Sequence, residues 1–216
     1  MDAMSEAGEA CTARAKTPPR RTRTPSADVE RELLAAAETV LVREGPAGLT
    51  VRAVAAEAGL APMNVYNRFG GKDGLIGALL IRGFDRLRVT IADTAAKPGP
   101  GMRDWLLSCG LAYRAFALAN PHLYGLMFED AVLQKHDDPE VSEHAVAAFN
   151  GLVAVVELGA AAGLIAAPDP VEVAQQIWSS LHGAVALELK GLVLTPDPLH
   201  TYRTLLGTVI RGLAPR

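Results

Sequence analysis

Between Thr50 and Leu75 the chain reads TVRAVAAEAGLAPMNVYNRFGGKDGL. The punctuation in this stretch leaves few folds open. Thr50 follows Gly48 and precedes a helical apolar pattern, as an N-cap does. Val51, Val54, Ala55 and Ala58 fall on one side of that helix. Gly59 ends it and suits the left-handed conformation of a tight turn. Leu60 plugs the space between the helices, and Pro62 fits the first turn of a second helix, where its missing N–H costs little. Val65 and Phe69 face the core, while Met63, Asn64, Asn67 and Arg68 face outward with Tyr66 at the edge. Gly70 and Gly71 break this helix, and Lys72 opens a third. Two short helices joined by a tight turn form a helix-turn-helix. Polar side chains near the start of its second helix are the kind that read base edges in a major groove.

The same residues carry a family resemblance. Thr50, Val54, Ala55, Ala58, Gly59, Leu60, Val65, Tyr66, Phe69, Lys72 and Leu75 recur at the spacing of the helix-turn-helix of TetR-type (tetracycline-repressor-like) transcriptional regulators, which this chain resembles. One position departs: the family's serine at the start of the recognition helix is Ala61 here. That removes a side-chain cap, a cost of about 1 kcal/mol that Pro62 partly offsets. The resemblance implies that Thr50, Arg52, Tyr66 and Lys72 contact phosphates. It also implies that Pro62, Met63, Asn64, Asn67 and Arg68 face the groove of a double-stranded operator. Asn64 and Asn67 suit adenine edges, and Arg68 suits guanine or phosphate.

Half of the 216 residues are hydrophobic and 5% are aromatic, and alanine and leucine outnumber β-branched runs. The expected fold is all-α, with about nine helices. Net charge is −3, too low for a bulk polyanion binder. The balance is +3 from Arg14 to Asp73 and −3 from Gly74 onward, which suits a DNA-reading head on a body that does not touch DNA. The expected division is a disordered tail over 1–25, a reading head over 26–73 and an effector-binding, dimerising body over 74–216. The tail gathers Arg14, Lys16, Arg20, Arg21 and Arg23 just before the head. It reads equally as a minor-groove arm and as a solubilising tail.

Helices are expected over 28–43, 72–94, 102–119, 140–163, 171–190 and 199–213, with a further segment beginning at Asn120-Pro121. Lys97–Gly101, His136–Pro139, Pro168–Pro170 and Thr195–Pro198 are the breaks. Trp178, His182 and Gly183, with NPHLYGLMF at 120–128, resemble a TetR-type body class with a Trp…His-Gly signature. Such bodies enclose a ligand pocket and pair through their last two long helices, here 171–190 and 199–213. Along the first of these, Val173, Ile177, Leu181 and Val185 form one row and Ala174, Trp178 and His182 another. One row is expected to face the pocket and the other the partner. Trp105, Phe116, Met127, Phe128, Phe149, Trp178 and His182 are the candidate pocket residues, suited to a small apolar or aromatic effector. His182 stands open between ligand contact and satisfied core histidine.

Other chemistries find little support. Cys11 and Cys109 make no disulfide framework, and Cys109 reads as a small buried apolar residue. His136, Asp137, Asp138, Glu140 and His144 match no metal-ligand spacing, and no nucleophile elbow, phosphate loop or dinucleotide fingerprint is present. No catalytic residue, metal or cofactor is expected. The start of the chain is acidic and lacks the apolar run of a secretion signal, and the apolar stretch 151–167 is interrupted by Glu157. The expectation is a soluble, cytoplasmic protein that takes no membrane.

Overall fold

The computed structural model describes residues 26–97, 101–128 and 138–215, and every regular element among them is helical. There are nine such helices: α1 (Ser26–Gly48), α2 (Val51–Glu57), α3 (Met63–Phe69), α4 (Lys72–Ala95), α5 (Met102–Ala119), α6 (Pro121–Phe128), α7 (Pro139–Ala161), α8 (Pro170–Leu189) and α9 (Pro198–Gly212). The all-α expectation therefore holds. The tail over 1–25 and the residues His136 and Asp137 lie outside the described residues.

α1 to α3 form the head. α1 buries Val29, Leu33, Ala36, Val40 and Leu41, the face its periodicity marks out. Its regular part stops at Gly45 (φ 70°), and Pro46 starts one further turn. α4 is the spine of the molecule. Its 24 residues span about 36 Å at 1.5 Å per residue. Leu75, Ile76, Leu79, Leu80, Phe84, Leu87 and Ile91 are buried along one stripe. α4 packs against α1 and α3 at the head and against α5, α6 and α7 in the body, so head and body share one contiguous apolar core. Glu38 of α1 adds an ion pair to Arg82 of α4 at 2.7 Å and another to Arg86 at 2.9 Å.

Three body helices begin at a proline that the sequence reading had assigned to a break. Each is preceded by an aspartate that caps the first turn. Asp138 accepts the Glu140 N–H at 2.9 Å, Asp169 accepts those of Val171 and Glu172 at 3.0 and 3.2 Å, and Asp197 accepts that of His200 at 2.9 Å. Proline tolerates the N1 position because its missing N–H would be unpaired there anyway, so Asp-Pro starts a helix as readily as it ends one.

α7 is long and apolar enough to cross a membrane by length and composition, but here it is a bundle helix packed along α4 and α8. Along α8 both rows point inward, a correction to the expected division of labour. Val173, Ala174, Leu181 and Val185 are buried, and Ile177 and Trp178 are half-buried against the core. Rows one residue apart lie within a single apolar stripe about 100° wide, so the bundle takes both. The solvent face of α8 is instead Gln175, Gln176, Ser179, Gly183 and Leu187.

Candidate DNA-reading head and effector cavity

Thr50 takes extended backbone (φ −121°, ψ 153°), and its Oγ1 accepts the Ala53 N–H at 3.1 Å. The hydroxyl proton is thereby left for another acceptor, so capping and phosphate contact are compatible. The turn after α2 closes as the glycine requires. Gly59 sits at φ +64°, its N–H reaches the Ala56 carbonyl at 3.1 Å, and the Leu60 N–H reaches that of Ala55 at 2.9 Å. This is the paired-bond ending that a left-handed residue permits. Thr50→Ala is expected to lower head stability by about 1 kcal/mol, readable as an earlier unfolding midpoint.

α3 carries no side-chain N-cap, as Ala61 implies. Val65 is wholly buried beneath it and Phe69 is half-buried against the core. Pro62, Met63, Tyr66, Asn67 and Arg68 are exposed, with Met63 at 62%, a high value for an apolar side chain on a helix only seven residues long. Asn64 departs from its expected outward position. It is half-buried, and its Nδ2 donates to the Ala61 carbonyl at 3.1 Å. Gly70 (φ 71°) ends the helix and Gly71 opens α4 without a side-chain cap. The Tyr66 ring packs over Gly71, 3.7 Å from where a Cβ would stand. Tyr66 and the exposed Lys72 therefore flank one turn, at which Gly71 supplies no side-chain cap. Arg52 is exposed at the start of α2.

Inside the body, α4 to α9 enclose a cavity of about 230 Å³. Met127, Phe128, Phe149 and Trp178 line it, as the sequence reading expected, beside Leu87, Tyr113, Leu152 and Ile210. Trp105 and Phe116 do not. Trp105 is buried with its Nε1–H donated to the Ala95 carbonyl at 2.8 Å, which pins α5 to the end of α4. Phe116 is buried away from this wall. His182 also stands behind the wall. Its Nδ1 is 2.7 Å from the Tyr124 hydroxyl and 3.1 Å from that of Tyr113. The two hydroxyls are 2.7 Å apart, and the Trp178 Nε1–H donates to Tyr113 at 3.2 Å.

Tyr113 and Tyr124 are the site residues that the sequence reading passed over. The available signal was a phenol on an apolar helical face, whose hydroxyl must find a partner when buried. Burial pushes both phenols above their ordinary range and lowers His182. The neutral imidazole in the fold against a protonated one in the unfolded chain makes stability fall as pH drops below the ordinary histidine value. A His182→Gln variant should show a flatter unfolding profile on the acid side. Cys109 is in the cavity wall with its thiol pushed up to about 11 by burial. Of the His and Asp residues between 136 and 144, Asp138 is a helix cap and His144 pairs with Asp85 at 2.9 Å. No group of three metal-ligating side chains occurs among the described residues.

Comparison with known proteins decides the family. Residues 33–79 match the model of bacterial regulatory proteins of the tetR family, and residues 106–209 match that of the tetracyclin repressor-like C-terminal domain. The chain belongs to the TetR family. TetR-family proteins are DNA-binding transcription regulators and not enzymes, and its relatives carry such names. One is the uncharacterized HTH-type transcriptional regulator Rv0681 of Mycobacterium tuberculosis, 28% identical over 86% of this chain and 80% of its own length. Among solved structures, a protein of unknown function from Rhodococcus sp. RHA1 superposes with a TM-score of 0.78 at 28% identity, covering 92% of this chain and all of that one. A TetR family transcription regulator from Marinobacter aquaeolei VT8, at 20% identity and a TM-score of 0.64 over 88% and 98% of the two chains, shares the fold.

Proposed function

We propose that this TetR-family chain is a repressor. It holds a near-palindromic operator as a homodimer and leaves it when a small apolar or aromatic molecule fills the α4–α9 cavity. Residues 26–73 read DNA and residues 74–216 bind the effector and the second copy. The observation that carries the reading is the exposed surface of α3 and its two flanking turns, with Met63, Asn67 and Arg68 facing out between Thr50 and Arg52 on one side and Tyr66 and Lys72 on the other. Pairing through helices 171–190 and 199–213 is supported by small and apolar groups on the outer surface of this region. Ser179 and Gly183 permit close approach, and Leu187, Leu192 and Leu194 are exposed large apolar side chains. A two-fold dimer directs two recognition helices to one face of the duplex, hence the near-palindrome. The setting is the cytoplasm, where the operator lies.

Coupling from cavity to head has a short route. Met127 and Phe128 of α6 line the cavity, and α6 packs against α1 of the head. An effector that binds more tightly to a body with displaced α6 than to the DNA-competent one will shift the population toward release.

Selection of bound sequences from a random duplex pool at near-physiological salt tests the reading. Recovery of one near-palindromic site is expected, and an enriched pool with no common motif would refute it. On that site, Tyr66→Ala and Lys72→Ala should weaken binding about equally across sequences, and Lys72→Ala should lower the salt slope by about one. Met63→Ala should change sequence preference more than Asn64→Ala, because Asn64 is half-buried and one of its amide hydrogens is already donated to the Ala61 carbonyl. Quantitative binding to a panel of single-base operator variants separates these outcomes.

A further inference from the structure

A cavity that admits a molecule also selects its charge. Among the described residues the wall of the α4–α9 cavity contains no Lys, Arg, His, Asp or Glu. The polar groups that do reach the wall are already engaged. The Gly110 carbonyl accepts the Tyr202 hydroxyl at 2.9 Å. Tyr113 and Trp178 belong to the cluster with Tyr124 and His182, and its hydrogens can be counted. The donors are the Trp178 N–H, two phenolic O–H groups and, on the neutral imidazole, the His182 Nε2–H. The acceptors are the two phenolic oxygens and one imidazole nitrogen.

One ordering uses each of the Trp178 and tyrosine donors once: Trp178 to Tyr113, Tyr113 to Tyr124, and Tyr124 to the Nδ1 of a neutral His182. The relay ends on His182, whose remaining Nε2–H belongs to a residue behind the wall, and no side-chain donor of the wall itself is left over for a carboxylate or a phosphate. Against the described wall an anion would lose its hydration with neither a counter-charge nor a side-chain hydrogen bond in return. The volume sets a scale for size as well. A dry apolar cavity of roughly 150 Å³ takes benzene, so one of 230 Å³ takes a molecule of about ten non-hydrogen atoms.

We propose that the effector is an uncharged, largely apolar molecule of about ten non-hydrogen atoms. In this assignment Trp178 meets it through its ring, while Tyr113, Tyr124 and His182 buttress that wall rather than read a polar group. The inference rests on the reading of this cavity as the effector site.

Butylbenzene, phenylbutanol and phenylbutyrate share one carbon skeleton and differ in charge, so they make a matched set of probes. The chain has two tryptophans; Trp178 lines the cavity and Trp105 does not. Emission from a Trp105→Phe variant therefore reports on the site. Calorimetry on the unmodified chain gives affinities that do not depend on that variant folding. At neutral pH, butylbenzene and phenylbutanol should bind and alter Trp178 emission, and phenylbutyrate should bind about a hundredfold more weakly or worse. Phenylbutyrate binding as tightly as phenylbutanol would overturn the charge selection while leaving the cavity as an effector site. No binding of any probe in either measurement would overturn the inference outright. Neutral probes that bind but leave operator DNA in place would uphold the inference and remove effector release from the proposed function.

Discussion

Gly74→Ala is expected to abolish operator binding, although Gly74 touches no DNA in the proposed complex. A methyl group there would stand 1.8 Å from the Phe69 carbonyl oxygen. That atom belongs to the backbone at the end of α3, so no side-chain rotation relieves the clash. Either α3 and the turn over 70–71 move away from α4, or α4 begins later. Both routes displace Tyr66 and Lys72 from the turn they flank. The cost of such overpacking is about 3 kcal/mol, drawn from a head in which two of the three helices are only seven residues long. A variant three residues on makes the control. A Cβ on Gly77 meets only Asp138 Oδ2 and Val141 Cγ2, both at 3.7 Å, which is ordinary contact. Gly77→Ala should retain binding and lose no stability, since alanine favours a helix interior over glycine. Anisotropy titration against the selected operator and a thermal melt of each variant decide the matter. Wild-type affinity in Gly74→Ala would mean that α3 is not held against α4 by this contact.

Arg114→Met should produce the largest loss of body stability short of a core deletion, about 2–4 kcal/mol. Arg114 on α5 grips Glu188 on α8 through two parallel bonds, Nε to Oε2 at 2.8 Å and Nη2 to Oε1 at 2.5 Å. The side chains are only 15% and 14% exposed. The guanidinium also lies 5.8 Å from the centroid of the Tyr202 ring on α9, so three helices meet at one charge. Removing the cation strands a mostly buried carboxylate, and that stranding dominates the loss. The double variant Arg114→Met/Glu188→Leu should therefore recover most of it, because an apolar pair of similar volume replaces a desolvated ion pair at little net cost. Arg43 and Glu57, paired at 2.6 Å with the arginine 52% exposed, offer the contrast: Arg43→Ala should leave the melting temperature unchanged. Denaturant unfolding at fixed protein concentration completes the cycle. Additive losses in the double variant would show that Arg114 and Glu188 act independently.

Most of the helical framework was legible in the residues. Periodicity marked the buried faces of α1 and α4, and Thr50 and Gly59 marked the ends of α2, because helix faces and caps are decided within a turn or two of chain. The three Asp-Pro starts are visible in the sequence too, yet the same dipeptides also read as breaks. Proline ends a helix that reaches it and begins one that follows it, and only the aspartate before it tells the two apart. Asn64 shows a similar local effect. A short amide side chain in a first turn can bond its own backbone as readily as it faces water.

What the sequence alone determined is the helix-turn-helix with its exposed recognition surface, and with it the family and the class of function, because that signature lies in 26 consecutive positions read at fixed spacing. What only the tertiary structure decided is which apolar residues enclose a space and which merely fill one. Trp105 and Trp178 look alike along the chain, yet one pins a helix start and the other lines the cavity. His182 meets Tyr113 across 69 residues of sequence, and Arg114 meets Glu188 across 74. Contacts of that reach depend on how α5 and α8 cross, and the crossing depends on the packing of the whole bundle rather than on any local pattern.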